Sequence, residues 1–439
     1  MAPEWLQKLR RIERHAPALQ AGLFTMWVLM ILIALFQSRF VGFLRGAVGL
    51  VPGVGPWLAP GITVSGVMTL WWVFWWPLTI LSVLIVARAW CGWLCPLGAG
   101  GELMNQAGYA KPPRRWMFNA AFPFVVFIAV VLSERSFGML GLPAASAYFF
   151  LIFLGVALLV GTLVLKRAFC KLLCPIGMLL GIFSRLSLLH LTTDQQKCER
   201  CVTKACAKVC PTYINISKET STRDCILCFR CASACPVDAV RVAVRAPGAE
   251  LARISETGVK ASESLFIITV LGLFLGLLLL SPSVYAGFEP WFNERVPVRL
   301  TINTFALGSI NALAFYGFLV GVILLTLAAL YAVSALSYRL LSPPTTRTAH
   351  FLMTNYLYTP FVFAGLFSVT GEGLFALLPS GQVLGLFVLT LGLIGSVLLA
   401  SEMLSRQPFH PHQALTGLVP HLAGLSLLFA LFTTVLITT

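Results

Sequence analysis

Charge is scarce in this sequence: Asp, Glu, Lys and Arg make up only 11% of its 439 residues, where a soluble globular chain carries about 25%. That shortage, with a hydrophobic share of 58%, excludes an ordinary soluble protein. Regular polar/apolar alternation is missing from the long apolar runs, which excludes a closed membrane barrel. No glycine-rich stretch lies between a strand pattern and a helix bearing a lysine, so nothing is built to cradle a phosphate. Cysteine is absent from residues 259–439, so any chemistry there must use other residue types.

What the sequence does contain is apolar runs long enough to cross a hydrocarbon core, which takes roughly 20 residues of helix. They are read at 19–38, 63–87, 117–133, 144–165, 263–281, 304–336, 350–369, 381–401 and 414–437. The fold class expected is mainly α: a polytopic helical membrane protein with an inserted two-cluster, bacterial-ferredoxin-like cytoplasmic domain. Lys8, Arg10, Arg11 and Arg14 precede a first run too long for a signal-peptide core, so that run is expected to stay as the first span. The net charge of +15 reflects topology, because most Lys and Arg fall in segments on one side and such flanks stay cytoplasmic. The N-terminus and residues 166–262 are therefore expected inside a bacterial-type inner membrane, near anionic lipid headgroups, with the C-terminus on the outer side. No base-reading motif accompanies the charge, and nucleic-acid binding is not expected. The first external loop, Gly42 to Gly66, reads as either a re-entrant segment or a headgroup loop.

Three regions follow: residues 1–187 as a four-helix membrane core, 188–258 as a polar cysteine-rich domain, and 259–439 as five further spans. The first holds an internal repeat. Arg88-Ala-Trp-Cys-Gly-Trp-Leu-Cys-Pro-Leu-Gly98 realigns on Arg167-Ala-Phe-Cys-Lys-Leu-Leu-Cys-Pro-Ile-Gly177 after a shift of 79 residues. Both copies end a helix running inward, so the repeat is parallel. Cys91 and Cys95, like Cys170 and Cys174, are one helical turn apart and can share a face. If the two hairpins pack about a pseudo-twofold axis, four thiols converge. They would then bind a further iron–sulfur cluster or act as a dithiol relay, whereas the bland reading is four small buried hydrophobes.

All twelve cysteines fall in segments assigned to the reducing side, which disfavours disulfides. Cys225-Ile-Leu-Cys228-Phe-Arg-Cys231-Ala-Ser-Ala-Cys235-Pro236 is the C-x2-C-x2-C-x3-C-P run of bacterial ferredoxins. Three thiolates on a tight loop face one cubane, and the fourth is carried on a short helix toward a neighbouring cluster. Cys198, Cys201, Cys206 and Cys210-Pro211 form a second run with two more residues in its middle gap. The exchange rule of two-cluster ferredoxins assigns Cys198, Cys201, Cys206 and Cys235 to one [4Fe–4S] cluster. It assigns Cys225, Cys228, Cys231 and Cys210 to the other. Zinc, which prefers two separated ligand pairs, fits these interlocked quartets poorly.

Two C-x3-C-P-x-G repeats on a four-helix membrane core, followed by a two-cluster ferredoxin segment, resemble the NapH/NosR-type membrane iron–sulfur proteins over about residues 1–245. The resemblance implies iron ligands at the eight domain cysteines, a redox role for Cys91, Cys95, Cys170 and Cys174, and electron exchange with the quinol pool or redox partners. Departures are expected in the five additional spans and in the absence of an N-terminal flavin-bearing domain such as NosR has. Among the last spans, His350, His410, His412 and His421 are the histidines. A haem between facing histidines is disfavoured there; a quinone pocket near them and Tyr356 or Tyr358 agrees better with the functional bias of intramembrane ionisable groups.

The function expected is membrane electron transfer, as a subunit of a respiratory-type oxidoreductase, between the quinone/quinol pool and other redox proteins. The alternatives are an accessory protein that uses its clusters to reduce a metal or maintain a partner enzyme, and a redox-sensing regulator.

Overall fold

The structure, a computed structural model, describes residues 16–36, 42, 70–137, 142–219, 221–280, 282–304, 308–375, 377–378, 381–406 and 411–438. The chain divides into two compact units, Met1–Pro247 and Gly248–Thr439. The break falls inside the polar segment 188–258, so nearly all of that segment lies in one unit with the membrane core.

In the first unit, helix α1 (Ala16–Phe36) is followed by a π-helical turn (Leu70–Trp75) and α2 (Trp76–Val86). The chain then bends by 108° into the short helix α3 (Ala89–Trp93) and on to α4 (Pro96–Leu103). The bend has a local cause: Ala87 takes φ 48°, a left-handed conformation that ends a helix and costs a residue with a Cβ about 1 kcal/mol. After α5 (Ala121–Phe137) and α6 (Pro143–Leu163), the same construction recurs. Lys166 takes φ 65°, α7 (Ala168–Leu172) is short, and α8 (Pro175–Phe183) begins at the proline after Cys174. Ala87 and Lys166, like Pro96 and Pro175, are 79 positions apart, so the sequence repeat is also a backbone repeat. Proline suits the first turn of each second helix because its missing N–H would have no partner there.

Residues 188–247 form a small subdomain clamped by a two-stranded antiparallel sheet. Strand β1 (Leu189–Thr193) pairs with β2 (Val240–Val244), Leu189 opposite Val244 and Thr193 opposite Val240. Between them run α9 (Gln195–Arg200), α10 (Ala205–Val209) and α11 (Arg230–Ser233). The core is Leu191, Ile216, Leu227, Val240 and several cysteines, closed by Ala87 from the membrane bend.

The second unit is a bundle of long apolar helices at Ala261–Leu279, Ala312–Leu341, Arg347–Thr370 and Gly381–Ser405, with a last one at Pro411–Thr438. A hairpin pairs Thr301–Thr304 with Gly308–Asn311. A 3₁₀ segment, Asn355–Tyr358, interrupts the helix from Arg347 to Thr370.

The chain is thus a helical membrane protein, but the count of nine spans is not reproduced. Among the described residues seven helices are long and apolar enough to cross, or eight with the bent pair counted as one span. The run at 63–87 is part of that bent pair, and the run at 117–133 is a shorter apolar helix, Ala121–Glu134. An apolar run records hydropathy and cannot register where a left-handed residue folds the helix back. The loop from Gly42 to Gly66 lies outside the described residues except for Gly42.

Candidate functional site

The ferredoxin-like segment places its ligands through backbone conformation. Lys204 and Phe229 are left-handed (φ 44° and 60°) immediately before α10 and α11, and Tyr213 and Asp238 (φ 63° and 45°) follow Cys210 and Cys235 by three residues. The two cysteine runs therefore share one backbone plan, and the two extra residues of the first are absorbed ahead of Lys204. Alternation of left- and right-handed residues turns successive N–H groups toward one concavity, which favours an anion. Ala239 N–H is one such donor, to Cys235 Sγ at 3.3 Å; separately, Cys210 Sγ lies 3.5 Å from the Thr212 side-chain hydroxyl.

The segment brings the cysteines together in two sets. Cys210, Cys225, Cys228 and Cys231 line one pocket, walled by Leu191, Pro211, Ile214, Ile216, Ile226 and Phe229. The thiol neighbours acting on Cys206 are Cys235, Cys198 and Cys201. Cys206 in turn is felt at Cys231, which makes the two sets neighbours. Among the described residues no three His, Cys, Asp or Glu side chains close on a point as the ligands of a single metal ion would. A cubane asks for a different arrangement, since each thiolate reaches its own iron around a shared cavity. Burial pushes the bare Cys225 thiol up to about 12, and burial, then Cys225 and Cys228, push Cys231 up as well. These thiols hold their protons until a cation-rich group displaces them, and the apolar, N–H-lined pocket fits an iron–sulfur cubane.

The Cys225–Cys231 loop is seated on the membrane repeat. A Cβ on Gly92 would stand 2.2 Å from the carbonyl oxygen of Ile226, so only glycine permits that approach. Trp93 Nε1 donates to Leu227 O at 2.8 Å, and Arg88 Nη1 donates to Arg223 O at 2.9 Å. Ion pairs strap both sides of the loop. Lys171 meets Asp224, directly before Cys225; Arg230, between Cys228 and Cys231, meets Glu102. Burial opposes ionisation of Asp224, but Lys171, Arg223 and Arg88 outweigh it and hold its carboxyl well below the usual carboxylate range. Near Cys210, Arg167 N–H donates to Pro211 O at 3.2 Å, and the Tyr213 hydroxyl donates to Leu165 O.

The four membrane cysteines lie close to one another. Cys170 feels Cys95, Cys174 and Cys91, and Cys174 feels Cys95 and Cys91. Cys174 caps α8, its Sγ accepting from Gly177 N–H at 3.2 Å. Aromatic and aliphatic groups enclose them: Cys95, Cys170 and Cys174 pack with Trp71, Trp75, Phe150, Phe153 and Phe169. Sequence reasoning missed the residues that organise this region, Arg88, Arg167, Glu102, Gly92 and Trp93. Both arginines did carry a signal, because each is repeated in step with the cysteines.

In the second unit, the buried His421 Nδ1 lies 3.1 Å from the Tyr358 hydroxyl, and His350 Nε2 lies 3.3 Å from Ser337 Oγ. The Tyr356 hydroxyl donates to Glu263 at 3.1 Å. His350 Nδ1 and His421 Nε2 have no hydrogen-bond partner among the described residues. His410 lies outside the described residues.

The family model described as a 4Fe-4S binding domain matches residues 68–119 and 146–192. Those residues contain the Cys91/Cys95 and Cys170/Cys174 repeat and stop short of the eight-cysteine segment. Among curated proteins, the chain is similar to an uncharacterized protein of Methanocaldococcus jannaschii, 32% identical over 36% of this chain and 65% of that protein. It is also similar to the ferredoxin-type protein NapH of Escherichia coli, 26% identical over 38% of this chain and 66% of NapH. The regulatory protein NosR of Pseudomonas aeruginosa is 28% identical over 36% of this chain and 25% of NosR. Each match thus spans less than two thirds of the relative. No solved structure matches the chain. The resemblance to NapH/NosR-type ferredoxin proteins thus extends from the motifs to these sequences.

Proposed function

From the resemblance of its first half to NapH and NosR, we propose that this chain carries electrons between the quinone/quinol pool and redox partners through two [4Fe–4S] clusters. Cys198, Cys201, Cys206 and Cys235 would hold one cluster, and Cys225, Cys228, Cys231 and Cys210 the other. An iron–sulfur cluster supplies reversible one-electron storage. The protein's part is to bind it, exclude water and set its surroundings. The observation that carries the reading is the crossing of the sets: Cys210 leaves its own run to line the pocket of Cys225, Cys228 and Cys231. That exchange belongs to two-cluster ferredoxins and has no purpose for isolated thiols.

The four membrane cysteines are read as a third redox centre. Their support is mutual proximity, enclosure by aromatic side chains, and the family model that falls on them. The quinone link rests on the intramembrane Tyr358–His421 and Ser337–His350 pairs, each leaving one imidazole nitrogen free. Ionisable groups placed at such depth are functional by default. The N-terminus and the ferredoxin segment are placed on the cytoplasmic side of an inner membrane, on the strength of the Lys/Arg distribution.

The test is EPR of the purified full-length protein during titration with a quinol. Signals from both clusters should develop as the quinol potential falls. Absence of any cluster signal at every quinol potential sinks the quinol link. Tyr358→Phe with His421→Ala should slow quinol-driven reduction while leaving reduction by dithionite unchanged.

A further inference from the structure

Buried guanidinium groups are costly unless every N–H and the charge itself find partners. Arg88 and Arg167, the equivalent arginines of the repeat, are each only 2% exposed. Arg167 is partly satisfied. Its Nε pairs with Glu102 at 2.9 Å, and its Nη1 donates to Cys91 O at 2.6 Å and Gly92 O at 3.1 Å. Arg88 has Arg223 O. Nε and Nη2 of Arg88, and Nη2 of Arg167, have no hydrogen-bond partner among the described residues.

Both guanidinium groups lie beside the cysteines of the repeat. A Cβ built on Gly98 would stand 3.1 Å from Cys170 Sγ and 3.3 Å from Arg167 Nη1. A Cβ on Gly177 would stand 3.0 Å from Arg88 Nη2 and 3.3 Å from Cys174 Cβ. The arginine of each repeat therefore reaches across to the Cys-Pro-x-Gly turn of the other. Arg88 also acts on Cys91, Cys170 and Cys174 and on Cys225 of the ferredoxin loop; Arg167 acts on Cys95, Cys170 and Cys228. Each arginine thus stands between the membrane thiols and the ferredoxin pocket.

We propose that Arg88 and Arg167 are a shared countercharge for two anionic iron–sulfur centres, one on Cys91, Cys95, Cys170 and Cys174 and one in the Cys210/Cys225/Cys228/Cys231 pocket. The proposal rests on the reading that the four membrane cysteines hold such a centre. The arginines are positioning residues. Their charge favours the more negative, reduced form of either centre. Because one pair of cations serves both, reduction at one site weakens the cations' pull on the other. The two potentials are coupled through Arg88 and Arg167 without a shared ligand.

The test is a redox titration by EPR of full-length holoprotein in detergent, with iron and sulfide counted in the same samples. Arg88→Gln and Arg167→Gln should each shift the reduction equilibrium of both centres toward the oxidised form by about tenfold, which is 59 mV for one electron. Arg→Lys at either position should recover most of that shift. Potentials unmoved in both Gln variants at unchanged iron content overturn the proposal. So does a result in which Gln and Lys variants lose iron alike while the surviving centres keep their potentials, because the arginines would then be merely structural. Cys95→Ser with Cys174→Ser separates the underlying reading: unchanged iron and unchanged signals in that variant remove the membrane centre itself, and the shared countercharge with it, whatever the arginine variants show.

Discussion

The two groups of cysteines solve one electrostatic problem by different means. The eight between Cys198 and Cys235 sit on loops whose left-handed residues, Lys204, Tyr213, Leu227, Phe229 and Asp238, turn backbone N–H groups toward sulfur. The four of the repeat sit at the ends of short helices, three of them packed in an aromatic shell, and Cys174 Sγ accepts from Gly177 N–H. There, on the proposal above, Arg88 and Arg167 add a countercharge that the ferredoxin loops do not carry themselves. An exposed segment can spend backbone dipoles because its loops have no helix to maintain. A membrane core must keep its backbone paired in helices and stabilises an anion with fixed cations instead.

The sharpest way to break this comparison is to remove a ligand on one side only. Cys231→Ser should lower iron by about four atoms per chain and erase one cluster's EPR signal, while Cys198, Cys201, Cys206 and Cys235 keep theirs. Loss of both signals would show that the two sets are not independent. The next largest effect is expected at the joint between the regions. Gly92→Ala drives a Cβ into the Ile226 carbonyl, a backbone atom that cannot turn aside, and overpacking of this kind costs about 3 kcal/mol. Thermal loss of cluster absorbance should move to clearly lower temperature, and a variant as stable as the parent would mean that the loop is not seated on the repeat. Glu102→Gln leaves Arg167 and Arg230 without their carboxylate and should cost about 2 kcal/mol by the same measurement, with iron retained at low temperature. The smallest effect belongs to Trp93→Phe, which deletes one hydrogen bond to Leu227 O, worth about 1 kcal/mol. Iron content should not change.

Much of this was legible beforehand because it is local. A C-x2-C-x2-C-x3-C-P run places three thiols on one loop whatever surrounds it, whereas Cys91 and Cys95 do not share the face of one helix as expected, because the helix ends at Trp93 and Cys95 is the extended cap of the next. The 79-residue shift was visible as a string of identical residues and returned as matched backbone, with Ala87 and Lys166 in the same conformation. Span counting was less secure. The run at 63–87 is apolar enough to cross, yet its helix turns through 108° beyond Val86, and the position that turns it is an alanine with no breaker signature. Glu102 and Gly92 were equally silent, since their importance lies in residues remote along the chain: Arg167 and Arg230 for Glu102, Ile226 for Gly92.

By itself, the sequence determined the membrane setting, the iron–sulfur character and the repeat. Each of these depends on composition or on the order of residues along the chain, which can be read without packing. Only the tertiary structure decided that Cys210 faces Cys225, Cys228 and Cys231, that four thiols from two hairpins meet, and that two buried arginines stand between the sites. Those relations join positions brought together by packing, and packing is set by the shapes of whole helices rather than by any short motif.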